Sequence, residues 1–363
     1  MIIFFIPSFT VGGAEKIYIS IANSFVKKYH VKILSLNRNG PLINLIDKRI
    51  ELISFDVKRV RYSVKKIINY VNINKPEIIY SPHRHANNLI GFCSFFFKYK
   101  PKIIFREANS YKELYLKYNL YQRIFFKTIL KICYRRCSKI IVVTKQIENE
   151  LVNNKLINKN KIIYIPNPTI PNNFKDLSLE KFDKELMNIE NENFFINIGR
   201  LHYQKNHLSL INIFYKLKKM NNNIKLLIIG NGNKKKEILE IINKKKLDKD
   251  VIIIDYTSNV FKYLKKSKGL LLTSLFEGIG NVIIESLSVN TPVIAYDTLD
   301  NNLKQYILSS GGKIIRPFDE EEFAIEAMQI LNNSNNPSFT NTNNIIEIFS
   351  LKNNVLLYEN LLK

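Results

Sequence analysis

The sequence predicts an α/β protein made of two doubly wound halves. Three observations carry that prediction. Short runs rich in Ile, Val, Leu and Phe alternate with helical periodicities along nearly all 363 residues. Those runs are apolar throughout rather than alternating, the pattern of parallel strands covered on both faces. The alternation lapses once and restarts. Between Pro166 and Asn193, Pro166, Pro168 and Pro171 stand among Asn residues before an Asp/Glu/Lys-rich segment, which reads as a linker.

In the first half the predicted strands are Ile2–Pro7, Val31–Leu36, Glu51–Phe55, Glu77–Ser81, Lys102–Arg106, Lys139–Thr144 and Lys161–Ile165. Helical stretches such as Ala14–Lys28, Ser63–Asn74 and Ala86–Lys98 fall between them. In the second half the strands are Phe194–Gly199, Lys225–Ile229, Val251–Ile254, Gly269–Thr273, Pro292–Tyr296 and Lys313–Ile315. Helices follow at His207–Met220, Lys234–Lys246, Asn281–Val289 and Glu320–Asn332, with a last helix near Ile345–Leu362. The division is therefore residues 1–180, residues 181–345, and a terminal helix over 346–363 that can pack back on the first domain. Ligands of such sheets bind at the carboxyl ends of the strands, at the switch point, and two facing halves would form a cleft.

Charge is unevenly spread. The net charge is +24, from 55 Lys+Arg and 31 Asp+Glu. Residues 1–180 hold 31 and 11, and residues 181–363 hold 24 and 20, so compositional drift alone does not explain the excess. The densest part, Lys98 to Lys139, reads as a long helix with a wide apolar stripe and a Lys/Arg face. It either packs on the core or meets an anionic membrane surface. No nucleic-acid motif accompanies the charge. Three Cys and no Trp fit a reducing compartment and exclude a disulfide scaffold. The apolar stretch Leu89 to Phe97 is too short to span a bilayer, and no secretory leader is visible. The expectation is a cytoplasmic protein, peripheral on the inner face of the cell membrane.

Only 12 residues are Gly, where average usage would give about 25, so each carries information. Gly12-Gly13 precedes a helix, as a tight turn or a close approach to a ligand. After the first strand of the second half comes Gly199-Arg200, with Lys205-Asn206 beyond. A guanidinium and an ammonium there suit a diphosphate. Gly230-Asn231-Gly232 lacks the third Gly of a dinucleotide fingerprint and reads as a tight turn. In Phe276-Glu277-Gly278-Ile279-Gly280-Asn281-Val282-Ile283-Ile284-Glu285, two Glu flank a turn entering an apolar helix. Amides from Gly280 to Ile283 would form an anion site, and Glu285 is placed to accept from vicinal hydroxyls. Asp248-Lys249-Asp250 reads as a solvated turn. Cys133 and Cys137 are too few for structural zinc. His83 and His85 follow a strand end, as ordinary surface residues or as functional ones.

At these residues the chain resembles family 4 of the retaining glycosyltransferases. Arg106-Glu107-Ala108-Asn109, Ile165-Pro166-Asn167-Pro168, Ser274 to Gly278 and Pro292-Val293-Ile294-Ala295 add to the resemblance, which covers nearly all the chain. It implies the GT-B fold, two Rossmann-like α/β/α domains facing across a cleft, and a nucleotide-diphosphate sugar donor with no metal. Arg200 and Lys205 would neutralise the diphosphate, with Glu277 as the third catalytic residue. Gly12, Gly13, Gly199, Gly278, Gly280, Asn281, Val282 and Glu285 would bind the donor, and Tyr256 would stack on its base. His83, His85, Arg106, Glu107 and Asn109 would line the acceptor pocket. Pro is frequent in the family at the place of Gly280, and the change only loosens the turn.

The implied activity is transfer of a hexose or N-acetylhexosamine, with retention, from a UDP-sugar to a lipid-linked or lipopolysaccharide, capsule or O-antigen type of glycan. A nucleotide-sugar epimerase would need an acid/base set that is not found. A non-catalytic glycan- or membrane-binding homologue is opposed by the intact Arg200, Lys205, Glu277 and Glu285.

Overall fold

A computed structural model describes the chain apart from Val11, Gly12, Asn109, residues 111–118, Gly278, Ile279, residues 333–341 and Lys363, and gives only the backbone of Asn188. The chain divides into two compact units. The first is Met1–Pro168 together with Leu351–Lys363, and the second is Thr169–Ser350.

The first unit holds a seven-stranded sheet of β1 (Ile2–Phe5), β2 (Val31–Ser35), β3 (Glu51–Ser54), β4 (Ile78–Ser81), β5 (Lys102–Glu107), β6 (Lys139–Val142) and β7 (Ile162–Tyr164). Its order is β3-β2-β1-β4-β5-β6-β7, each pairing parallel. The second unit holds β8 (Phe194–Ile198), β9 (Lys225–Ile229), β10 (Val251–Ile254), β11 (Gly269–Leu272), β12 (Val293–Tyr296) and β13 (Lys313–Ile315), in the order β10-β9-β8-β11-β12-β13, also parallel. All thirteen predicted strands are present, their ends within two residues of the sequence reading. In each sheet the order reverses beside the first strand. The switch points are therefore β1/β4 and β8/β11, where loops on opposite sides diverge and leave a crevice at the strand ends.

The predicted linker is not a solvated strap. Residues 174–189 form a short helix, Phe174–Leu179, and a 3-10 turn, Lys184–Ile189. Phe174, Phe182, Leu186 and Ile189 are buried in the core of the second unit. The units part at Pro168 rather than near 180, because hydrophobic burial holds this segment to the second sheet. The single helix expected over 345–362 is two helices, Thr342–Phe349 and Leu351–Glu359. Between them Ser350 pairs with Ile170 in a β-bridge. Ile345 and Phe349 belong to the second core, whereas Val355, Tyr358 and Leu361 belong to the first. Tyr358 is fully buried, and its carbonyl accepts from the Tyr80 hydroxyl at 3.0 Å. Tyr80 in turn stacks on Phe4 at 4.9 Å between ring centroids.

By these unit boundaries the first carries 32 Lys+Arg and 10 Asp+Glu, a net of +22, leaving 23 and 21, a net of +2, for the second. The basic helix is shorter than expected, Leu120–Arg135, and Asn119 and Gln122 close it with a reciprocal capping box. The Tyr111 to Lys117 part of that expectation lies outside the described residues. Only Leu130, Cys133 and Tyr134 of the helix are buried. Leu120, Tyr121, Ile124, Phe125 and Ile132 are exposed, so most of the apolar stripe does not pack on the core. No described helix is long and apolar enough to cross a membrane.

Candidate functional site

The second unit builds its site from the loops after β8 and β11, the two strands at its switch point. Gly199 follows β8, and the Lys205 side chain lies across it: a Cβ there would come within 2.9 Å of Lys205 Cε. The turn after β9 holds this loop from behind. Leu201 donates to the Asn231 carbonyl at 3.0 Å, and Lys234 donates to the Leu201 carbonyl at 3.0 Å. This contact requires Gly230 and Gly232. A Cβ on Gly230 would stand 1.9 Å from the Gly199 carbonyl oxygen, and one on Gly232 would stand 2.2 Å from that of Leu201. The Gly-Asn-Gly segment read as a plain turn is thus the backing of the Arg200–Lys205 loop.

The β8 and β11 loops are tied together. Leu275 donates to the Gln204 carbonyl at 2.8 Å, and Gln204 Nε2 donates to the Phe276 carbonyl at 2.8 Å. Thr273 Oγ1 donates to the carbonyls of Lys205 and Asn206. This frame brings Lys205 Nζ to 2.5 Å from Glu277 Oε1, and Ser274 Oγ donates to the same oxygen at 2.6 Å. The ion pair is mostly shielded, with 16% and 7% of the two side chains exposed, and Arg200 is exposed at the mouth of the loop. Lys205 and Glu277 therefore meet at the β8/β11 switch point, and Arg200 stands on the same loop as Lys205. Sequence reading missed Gln204, Thr273 and Ser274, although Ser274 stands three residues before Glu277, the spacing of a local side-chain contact.

His207 opens the helix His207–Met220 behind this pair. It is 3% exposed, and neither ring nitrogen has a hydrogen-bond partner among the described residues. Burial, and then the charge of Lys205, push its pKa down to about 4, so the imidazole is neutral at pH 7.

The helix Asn281–Ser288 starts at Gly280, whose φ is 58°. Proline is fixed near −65° and cannot adopt that conformation. Gly280 is therefore a left-handed cap and not a loosened turn. Ile283 N–H donates to the Gly280 carbonyl at 2.8 Å, which removes that amide from the anion site expected over Gly280 to Ile283. Val282 is buried in the core, Asn281 accepts from Thr169 Oγ1 at 3.3 Å, and Glu285 is half-buried one turn into the helix. Gly278 lies outside the described residues. Tyr256, 43% exposed, follows the edge strand β10, two strands from the switch point. Its neighbour Asp255 binds Asn231 Nδ2 at 2.9 Å and Lys235 Nζ at 2.5 Å. Asp250 of the Asp-Lys-Asp turn lies before β10, at the opposite end of the strand, and pairs with Lys218 and Lys225.

At the first unit's switch point, Gly13 opens the helix Gly13–Phe25, and Gly12 lies outside the described residues. Glu15, in the first turn, faces His83 after β4, with His83 Nε2 3.5 Å from Glu15 Oε1. Burial opposes ionisation of Glu15, yet its bonds to His83 and to backbone prevail, and its carboxyl sits below the usual range. Glu15 was missed by the sequence reading; its place in the first turn behind the paired glycines is the signal that could have marked it. His85 is exposed beside His83, their rings 6.3 Å apart.

Arg106 and Glu107 do not line an open pocket. Each is 1% exposed. Arg106 donates to the Pro82 carbonyl at 3.1 Å and to Asn167, while Glu107 accepts from Arg84 at 3.2 Å and from the Tyr134 hydroxyl. They lie on β5, inside the sheet, where a buried charge must be paired. Asn109 lies outside the described residues. Cys93, Cys133 and Cys137 are buried, and burial pushes their thiols up to about 12, 11 and 12. No group of three or more His, Cys, Asp or Glu among the described residues has the arrangement of a metal site.

Comparison with known proteins gives the site its context. Residues 11–172 match the family model described as Glycosyltransferase Family 4, and residues 179–346 match the one described as Glycosyl transferases group 1. An uncharacterized glycosyltransferase of Methanocaldococcus jannaschii is 32% identical over 303 residues, covering 79% of this chain and 74% of the other. The N-acetylgalactosamine-N,N'-diacetylbacillosaminyl-diphospho-undecaprenol 4-alpha-N-acetylgalactosaminyltransferase of Campylobacter jejuni is 25% identical over 311 residues, covering 81% and 80%. Anabaena HepE, crystallised with UDP and glucose, superposes with a TM-score of 0.79 at 15% identity, over 99% of this chain and 98% of that one.

Proposed function

Because the chain belongs to the group 1, family 4 glycosyltransferases, we propose that it moves a hexose or N-acetylhexosamine, with retention, from a UDP-sugar to a lipid-linked or surface-glycan acceptor. The observation that carries the donor assignment is the shielded Lys205–Glu277 pair at the β8/β11 switch point, with exposed Arg200 on the same loop as Lys205. A diphosphate is the ligand this suits. Arg200 offers a planar fork of donors, and Lys205 a point charge. UDP as the nucleotide rests on the UDP seen in HepE. A lipid-linked acceptor rests on the diphospho-undecaprenol substrate named for the Campylobacter relative.

In this reading Glu277 orients Lys205. As the glycosidic C–O bond breaks, negative charge grows on the departing phosphate oxygens, and the two cations stabilise it. Loss of one such contact costs about 10²–10³ in rate. Gly199 gives room for the Lys205 stem beside the diphosphate. Glu285 and the first turn of Asn281–Ser288 hold the ribose and phosphate side, and Tyr256 stacks on the base. Gly278 would add to the donor contacts. The leaving phosphate can take the acceptor's proton, so no protein base and no metal is required. His83, held by Glu15, and His85 belong to the acceptor side, as does Asn109.

The net charge of +22 on the first unit and the exposed Leu120, Tyr121, Ile124 and Phe125 support peripheral contact with an anionic membrane, which would present a lipid-linked acceptor. Two experiments test the reading. Lys205→Ala should cost most of the donor-dependent UDP release, and an unchanged rate would refute the donor site. Sedimentation with anionic vesicles at low salt should carry the protein down, and its absence would refute the membrane contact.

A further inference from the structure

The first unit has a second basic feature, at the opposite ends of its strands. A cavity of about 580 Å³ opens beside the amino ends of β6 and β7, in the size range of small-ligand pockets. Five cations line it: Lys131 and Arg135 from the last two turns of Leu120–Arg135, and Lys155, Lys159 and Lys161 from the segment before β7. Among the described residues no carboxylate lines it, and Leu156 supplies an apolar wall. Lys161 is fixed by bonds to the carbonyls of Arg135 at 3.2 Å and Cys137 at 2.8 Å, so one ammonium is built into the frame. Lys131, Arg135, Lys155 and Lys159 are exposed to solvent. A neighbouring cavity of about 400 Å³ shares Arg135 and adds Lys100, Lys102 and Arg136. Like charges gathered at one concavity repel one another unless an anion occupies it.

We infer that this pocket is a phosphate-ester site, separate from the one at the β8/β11 strand ends and independent of the donor assignment. Its ligand is a phosphate-bearing anion with a small organic group. Helix Leu120–Arg135 connects the pocket to apolar surface. Ile124, Thr128, Lys131 and Arg135 fall at intervals of four, three and four residues along one exposed face, which spans about 16 Å. The same chemistry is offered by a lipid headgroup, with Ile124 and Phe125 in the acyl boundary, and by a free phosphate ester.

The test uses the full chain with Lys131→Gln, Arg135→Gln and Lys155→Gln combined, leaving Lys161 in place because it holds backbone. A control triple, Lys219→Gln, Lys244→Gln and Lys245→Gln, removes the same charge from the second unit. Binding of glycerol 3-phosphate is measured by calorimetry with UDP present throughout, and co-sedimentation is measured with phosphatidylcholine vesicles containing phosphatidylglycerol. The wild type and the control should bind glycerol 3-phosphate, and the pocket triple should bind it at least about tenfold more weakly. If vesicle binding falls equally in the pocket triple, the source is a headgroup. If only the soluble ester is affected, the source is a free ester. The inference is overturned if glycerol 3-phosphate does not bind the wild type, or binds all three proteins alike. Vesicle binding that drops equally in both triples would then leave a purely net-charge attraction to membranes standing without the pocket. Circular dichroism and melting of both triples should match the wild type, because the substituted side chains are at the surface.

Discussion

Gly230→Ala is the substitution in which the fold and the site are most tightly linked. The added Cβ would lie 1.9 Å from the Gly199 carbonyl oxygen and 2.9 Å from its carbon. An ordinary carbon–oxygen contact is about 3.3 Å, so the two loops must separate by more than about 1 Å. Both sides of the contact are backbone, and no rotamer change relieves it. Overpacking of this kind costs about 1–3 kcal/mol. In a unit of this size that lowers its melting temperature by roughly 2–12 °C. The moving loop is the one that carries Arg200 and Lys205, and a displacement of about 1 Å at a reacting centre costs about 10²-fold in rate, or about 2.7 kcal/mol. The assay is UDP release from the accepted UDP-sugar, with calorimetric UDP affinity and thermal melting on the same preparations. Gly269→Ala is the control, since its Cβ would meet Phe195 at an ordinary 3.4 Å. Wild-type activity and melting for Gly230→Ala would refute the claim that the β9 turn backs the Arg200–Lys205 loop.

Four further outcomes follow from the geometry. His207 has its pKa pushed down to about 4, so as pH falls the unfolded chain takes up the proton first. Its contribution is full above about 6.5 and is lost as pH falls towards 4, amounting to about 2 kcal/mol between pH 7 and pH 5; the acid slope of the second unit's melting temperature should flatten in His207→Gln. Glu277→Gln keeps the shape but removes the charge that orients Lys205, and should lower kcat by about 10²-fold with a smaller change in KM, read from steady-state UDP release. Tyr358→Ala should destabilise the first unit by about 3–5 kcal/mol, seen in calorimetry as a lower transition for that unit, because a fully buried ring is removed from beside Tyr80 and Tyr18. Arg106→Met leaves Asn167 and the Pro82 carbonyl without their donor and should cost about 1–3 kcal/mol in melting experiments, with acceptor KM changing only through that loss of rigidity.

The strands were legible because a parallel strand buried on both faces is written as an unbroken apolar run, and that signal is local. The cationic site was legible because Arg200 and Lys205 stand just past such a run and Glu277 just past another. What local pattern cannot show is which loop rests on which. Gly230 and Gly232 read as a turn until the Gly199 and Leu201 carbonyls are seen behind them. Arg106 and Glu107 read as mouth residues because a charged pair at a strand end is ordinarily solvated, and only β6 and Tyr134 beside them reveal their burial. The break at Ser350 was hidden for a similar reason. Helical periodicity runs across it, and the cause is a pairing with Ile170, 180 positions earlier in the chain. The glutamate that faces His83 was passed over because Glu in a first helical turn is usual on dipole grounds alone.

The central claim is that the β8/β11 strand ends hold a nucleoside diphosphate through Arg200 and Lys205. Calorimetric comparison of UDP, UMP and uridine on the wild type, Arg200→Ala and Lys205→Ala tests it most directly. The account predicts that the wild type prefers UDP over UMP by at least about tenfold, a difference of about 1.4 kcal/mol, and that either substitution removes most of that preference while leaving uridine affinity unchanged. Equal affinities for UDP and UMP in the wild type, or a preference that survives both substitutions, would contradict it.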